Sequence, residues 1–236
     1  MKFELHIPLN PTPEQAARLL ALQAAFAQLC NALAPMVQST RVWNRVALHH
    51  MAYKRLREQF PAIGSQMVCN AIYSVSRHSR ALFQSPGSPF NIARLGERPL
   101  PRLQFTDSCP VYFDRHTLSL KEGQLSMYTL DGRMRFQVHL PPEAEARFHQ
   151  MKLREVVLTR QIAPPPAGGA PNPAVQRFVL AFTLSDEAGT DNDADVTLTS
   201  DVPATGEAPA LPPAPQPDLS PPLPDYLKIE ELNESA

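Results

Sequence analysis

The sequence predicts an α+β fold: a small OB-like β-barrel with an inserted lobe of three helices, followed by a disordered, acidic, proline-rich tail. Three observations predict it. Between residues 13 and 83 apolar residues recur at helical spacing. From residue 111 to 184 short runs alternate apolar and polar residues, with turn dipeptides between them. Beyond Ser185 the periodicity ends and the charge changes sign. Of the 22 Lys+Arg, 21 precede residue 186, whereas 12 of the 23 Asp+Glu follow Ser185.

The elements follow in chain order. Residues 1–10 supply the first barrel strand, because KFELHIP places Phe3, Leu5 and Ile7 on one face. Residues 11–86 hold the helices. Thr12 is an N-cap, Pro13 suits the first helical position and Gln15 completes a capping box, so a helix runs from there to about Pro35. A second helix fits residues 41–59, with Val42, Val46, Tyr53 and Phe60 on one face that should pack inward. A third, SQMVCNAIYSVSRHSRALF, opens at Ser65 after Gly64 and closes before Ser85-Pro86-Gly87.

Residues 87–185 make the rest of the barrel. A proline-rich loop leads into the strands VYF, TLSL, QLSMYTL, RMRFQVHL, REVVLTRQ and RFVLAFTL. Glu122-Gly123 and Asp131-Gly132 are hairpin signals. Met134, Phe136, Val138 and Leu140 should face inward, and Arg133, Arg135, Gln137 and His139 outward. The last strand puts Phe178, Leu180, Phe182 and Leu184 on one face. Several short strands with one apolar face suggest a small barrel. APPPAGGAPNP, residues 163–173, reads as a long hairpin loop. In residues 186–236 nine prolines lie between 203 and 224. Such a composition buries too little surface to offset chain entropy. The closing DYLKIEELNESA spaces Tyr226, Leu227, Ile229 and Leu232 for a short amphipathic helical turn, either a docking peptide or a frayed end.

Composition and motifs narrow the function. Cys30, Cys69 and Cys109 form no CxxC pair or disulfide framework, which points to a reducing compartment. MKFELHIP lacks the apolar run of a signal peptide, and Arg18, Gln23 and Gln28 interrupt the most apolar segment. A cytoplasmic protein that engages no membrane is expected. Asp191, Asp193 and Asp195 have the spacing of a calcium loop's first ligands. Val196 and Val202, however, stand where that loop needs Gly and Glu. The seven histidines are scattered without a metal-binding pattern, and surface or nucleic-acid-facing positions suit them best. There is no GxSxG and no glycine-rich phosphate loop. No catalytic residue, metal or cofactor is therefore expected.

The basic residues carry the positive signal. Arg41, Arg45, Lys54, Arg55 and Arg57 fall within the second helix as predicted, Arg77 and Arg80 on the third, and Arg133 with Arg135, and Lys152 with Arg154, on strands. Arginine supplies 17 of the 22 cations, and its planar fork suits phosphate. Trp43, Tyr53, Tyr112, Phe113 and Tyr128 are interspersed, as in surfaces that hold RNA or single strands by phosphate neutralisation and stacking. A solvated basic face accounts for the same residues.

Four stretches resemble the N-terminal half of the TnpB family, RNA-guided nucleases related to type V CRISPR effectors. They are FELHIPLNPTPEQAARL, LREQFPAIGSQMVCNAIYSVSRHSRALF, PLPRLQF, and LSMYTLDGRMRFQVHLP through RFVLAFTL. The resemblance covers residues 1–184. It implies that the barrel is a wedge and the helices a recognition lobe, that guide RNA and double-stranded target DNA are the partners, and that Ser65, Gln66 and Asn70, with Cys69 less directly, read a target-adjacent DNA motif. Glutamine and asparagine amides pair with an adenine edge; an N-cap and a polar helix face are the alternative reading of these positions. In that family RFVLAFTL would run into a RuvC nuclease. Here Asp186-Glu187 follows without the strand and glycine that nuclease needs. The expectation is a nuclease-lacking RNA-guided DNA-binding module, a repressor or half of a split effector with a separate RuvC-like chain. The alternatives are a guide-independent RNA- or DNA-binding module and a truncated transposon remnant.

Overall fold

Thr12 opens the first helix as the sequence predicts, in the computed structural model, which describes residues 2–162, 176–186 and 223–230. The Thr12 hydroxyl accepts from the Gln15 amide at 3.2 Å, and the Gln15 side chain accepts from the Thr12 amide at 3.0 Å. Helix α1, Pro13–Thr40, does not stop at Pro35. A helical proline removes one donor and crowds one turn. Here Leu33, Ala34 and Val37 are all buried on the core side, which holds the helix together across that turn. It ends at Arg41, whose backbone is left-handed at φ 56°. Among the described residues α1 alone is long and apolar enough to cross a membrane, longer than the interrupted run suggests. Half of its most apolar stretch is buried within the protein.

Helix α2, Arg45–Gln59, begins later than the sequence suggests, behind an Asn44 cap on the Ala47 amide at 2.9 Å. Its inward face also differs. Leu48, Ala52 and Leu56, spaced by four, are fully buried, whereas Val46 is 56% exposed. Val42 lies ahead of the helix, and Tyr53 and Phe60 are only partly covered. Helix α3, Ser65–Phe83, has the predicted bounds and packs between α1 and α2. Gly64, without a side chain, holds the cap position, so Ser65 is the first helical residue and not the cap. In the proline-rich loop Asn91 caps a single turn, α4, Ile92–Leu95.

The strands are β1 Lys2–Leu9, β2 Arg102–Phe105, β3 Val111–Phe113, β4 Leu118–Lys121, β5 Gln124–Thr129, β6 Gly132–Gln137, β7 Lys152–Ile162, β8 Gln176–Ser185 and β9 Leu227–Glu230. A short helix, α5, Pro142–Gln150, precedes β7. The predicted inward residues of β1, β6 and β8 face the core. Glu122 and Gly123 both take positive φ, 49° and 70°, as the two-residue turn between β4 and β5 requires. A Cβ on Gly123 would lie 2.9 Å from the Val138 carbonyl oxygen.

The α+β class holds, but no closed barrel forms among the described residues. The strands group into three antiparallel sheets, β1-β8-β7-β3, β4-β5-β6 and β2-β9. In the first, β1 and β3 are edges, so the hydrogen bonding does not return on itself. Alternation along a strand fixes which face is buried; it does not fix which strands pair, and three sheets satisfy it as well as a barrel does. Helices and strands share one hydrophobic core, with Phe26, Phe83, Phe178 and Phe182 at its centre. Residue 10 lies between β1 and α1, and residue 86 in the loop between α3 and α4.

The C-terminal segment is a strand and not a helical turn. Leu227 and Ile229 point inward, and β9 pairs with β2 from Arg102↔Glu230 to Phe105↔Leu227. The free edge of β2 outweighs the weak helical periodicity of so short a run. The long hairpin loop, the carboxylates from Glu187 to Asp195, the disorder expected from residue 187 to 222 and Leu232 lie outside the described residues.

Candidate nucleic-acid interface

One face of α3 carries Gln66, Cys69, Tyr73, Arg77 and Arg80, three or four residues apart and so aligned along the helix. Arg45 and His49 of α2 stand opposite and close a cavity of about 620 Å³. A second, of about 590 Å³, lies between α3, the β3–β4 turn and the start of β7. Both are lined by Arg45, Gln66 and Tyr73, which makes them one groove. Six cations line it: Arg45, Arg77, Arg80, Arg115, Lys152 and Arg154.

The groove is organised around Tyr73. Its hydroxyl donates to Glu155 Oε2 at 2.8 Å and accepts from Arg77 Nη1 at 3.3 Å. Arg77 also donates to Glu155. The Arg45 guanidinium lies 5.3 Å from the Tyr73 ring centroid and that of Arg77 5.9 Å from the Tyr112 centroid. Burial and the Glu155 carboxylate push Tyr73 up to about 12, and burial raises Tyr112 further. Both stay neutral hydroxyls. Burial alone would lower Arg77, but Tyr112, Glu155 and Tyr73 outweigh it, and the guanidinium is held above its ordinary value. A fixed cation beside neutral aromatic rings suits a phosphate flanked by a planar base.

The β3–β4 turn supplies the far wall. Asp114 Oδ1 accepts from the amides of His116 and Thr117 at 2.9 and 3.0 Å and from the Thr117 hydroxyl at 2.9 Å. That carboxylate fixes the turn and leaves Arg115 and His116 exposed on the groove side. Gln66 Nε2 donates to the other oxygen of Asp114, tying α3 to the turn.

The proposed base readers separate. Gln66 and Cys69 line the groove; burial raises the Cys69 thiol against the opposing pull of Arg45. Asn70 lines it too but is 7% exposed, and its amide donates to the Tyr112 carbonyl at 3.0 Å, bracing α3 on β3. Ser65 is exposed at the helix start and lines neither cavity.

The predicted backbone-binding set divides as well. Arg45, Arg77, Arg80, Lys152 and Arg154 converge on the groove. Arg41 is not on α2: it ends α1 and donates to the Gly96 and Arg98 carbonyls at 2.7 and 3.3 Å. Arg57 donates to the Ile63 carbonyl. Lys54 and Arg55 are exposed on α2 and do not line the groove. Arg133 and Arg135 stand on the exposed face of β6, with Arg133 4.2 Å from the Tyr128 centroid and 3.4 Å from the His116 carbonyl oxygen. That contact places Arg133 beside the groove's far wall.

Sequence reasoning misses Arg115, Tyr73 and Glu155. The i, i+4 spacing of Tyr73 and Arg77 is a usable signal; the long-range Glu155 contact leaves none. His78 corrects the surface reading of the histidines. It is 9% exposed, with Nδ1 2.7 Å from the Ser74 carbonyl and Nε2 3.1 Å from the Tyr226 hydroxyl. Among the described residues no group of three or more His, Cys, Asp or Glu is placed to hold a metal ion. In comparisons with known proteins, no family model matches the chain and no curated protein gives a significant match.

Proposed function

We propose that this protein is a nucleic-acid-binding module whose groove between α2, α3, the β3–β4 turn and β7 holds a sugar–phosphate backbone. The observation that carries the reading is convergence: six cations from four separate parts of the chain line one concave surface floored by tyrosines. Phosphate contacts of this kind supply affinity without sequence. Gln66 at the groove floor is the side chain best placed to add readout.

With the TnpB-like motifs, the fuller reading is an RNA-guided DNA-binding module without its own nuclease, working in the cytoplasm with guide RNA, duplex DNA and, in a split effector, a RuvC-like chain. The sheet β1-β8-β7-β3 then corresponds to an open wedge. Sequencing RNA that copurifies with the full chain tests this. A discrete small-RNA population is the expected result, and its absence contradicts guidance. Salt-sensitive binding without such RNA fits the guide-independent alternative.

A further inference from the structure

The sheet β4-β5-β6 buries one of its two faces. Leu125, Met127, Met134 and Phe136 point into the core, and alternation sends their neighbours to the other side. Register sets those neighbours in pairs: Tyr128 opposite Arg133 and Ser126 opposite Arg135, with Lys121 of β4 across from Gln124. Lys121, Tyr128, Arg133 and Arg135 are all exposed.

Three features set this face apart from an ordinary solvated sheet. The first is charge. The strands LSLK, QLSMYT and GRMRFQ contain three cations and no carboxylate, whereas soluble surfaces intersperse both signs. Glu122 and Asp131 lie in the turns at opposite ends of β5, and Arg18 of α1 donates to Asp131 at 3.0 Å. The second is Tyr128, which at 42% is the most exposed aromatic side chain among the described residues. The Arg133 guanidinium lies 4.2 Å from its ring centroid and donates to the Ser126 hydroxyl at 3.2 Å, so ring and fork hold each other in place. The third is continuity. Arg133 also reaches the His116 carbonyl at 3.4 Å, and the Tyr128 amide donates to the Thr117 carbonyl at 2.8 Å. Both partners belong to the β3–β4 turn, the far wall of the groove, so the face begins where that wall ends.

We propose that the outer face of β4-β5-β6 is a stacking platform for an unpaired nucleic-acid strand leaving the groove, with a base on Tyr128 and phosphates on Arg133, Arg135 and Lys121. Such a platform extends the backbone site proposed for the groove, on which it rests, and makes the ligand single-stranded where it crosses the sheet. A paired base keeps its faces within its own helix, whereas an unpaired base can splay onto an aromatic ring or a guanidinium plane. Stacking of this kind tolerates any sequence, and neighbouring cations follow the backbone. Because the opposite face is packed in the core, the platform needs no ordering when the strand arrives.

Fluorescence anisotropy of the full chain at low ionic strength tests this with two labelled oligouridylates, of about 5 and about 15 nucleotides, the range that single-strand sites span. The shorter fills the groove; the longer also reaches the sheet. Tyr128→Ala should weaken binding of the longer strand at least about fivefold and leave the shorter unchanged. Arg135→Ala should do the same about threefold. Tyr128→Phe, which keeps the ring, should bind both strands as the unaltered chain does. Pairing the longer strand with oligoadenylate should abolish the effect of Tyr128→Ala. Unchanged affinity of Tyr128→Ala for the longer strand, or an equal loss with the shorter strand or the duplex, overturns the platform. Arg77→Ala should weaken binding of both strands; if it weakens neither, the groove reading fails, and the Tyr128→Ala comparison still decides the platform.

Discussion

Arg77 concentrates the chemistry of the groove in one side chain. It touches Glu155, the Tyr73 hydroxyl and the Tyr112 ring, so its fork is already oriented before a phosphate arrives. Arg77→Ala should weaken nucleic-acid binding and reduce the slope of log affinity against log salt by about one. Replacing Arg133 and Arg135 together should act more weakly, since they stand beside the groove; filter binding at several salt concentrations separates the cases. Asn70 is a brace for β3, and Asn70→Ala should cost about 1–3 kcal/mol of stability in urea titration, whereas Ser65→Ala should cost almost nothing. His78 predicts a pH dependence. Burial lowers its basicity in the folded state, with Arg77 adding to that and the Ser74 carbonyl opposing it. The unfolded chain then binds the proton more readily, so stability is full above about pH 6.5 and is lost as pH falls below it. The urea midpoint should drop from pH 7.5 to about 5.5, and His78→Gln should flatten that drop. Asp131 is shifted downward as well, by the Thr129 hydroxyl and Arg18, and acts only near and below its ordinary range around pH 4.

At the scale of elements, local chemistry was the most legible. The Thr12–Gln15 capping box, the bounds of α3 and the inward faces of β1, β6 and β8 follow from residue types at fixed spacing. Where tertiary packing chose between options, the sequence was silent. Either face of α2 offers apolar side chains, and α1 with α3 took the one bearing Leu48, Ala52 and Leu56. Leu56→Ala should therefore cost about 2–5 kcal/mol, and Val46→Ala less than about 0.5 kcal/mol, measured by thermal or urea unfolding. A reversed order would restore the other face. The course of β9 was illegible for the same reason: its partner lies far upstream, Leu103 facing Ile229 across 126 positions. In the groove, Arg45, Arg77, Arg80, Lys152 and Arg154 were legible as cations. Their meeting around Tyr73 and Glu155 was not, because it depends on β7 pairing with β3, the strand that packs on α3.

For the whole molecule, the charge pattern acquires a location. The basic surplus before residue 186 is gathered partly into one groove, and the carboxylates inside it, Asp114 and Glu155, are tied to Gln66, Tyr73 and Arg77. A single core beneath helices and strands keeps the walls in register, so the groove should behave as a preformed site and not as loops ordered by a ligand. The most direct test is fluorescence anisotropy of a labelled single-stranded RNA titrated with the full chain at low ionic strength, repeated at rising salt. The account predicts saturable binding that weakens linearly in log salt, with Arg45→Ala, Arg77→Ala and Arg80→Ala each lowering the slope. Binding that is absent at low salt, or that these three substitutions leave unchanged, contradicts it.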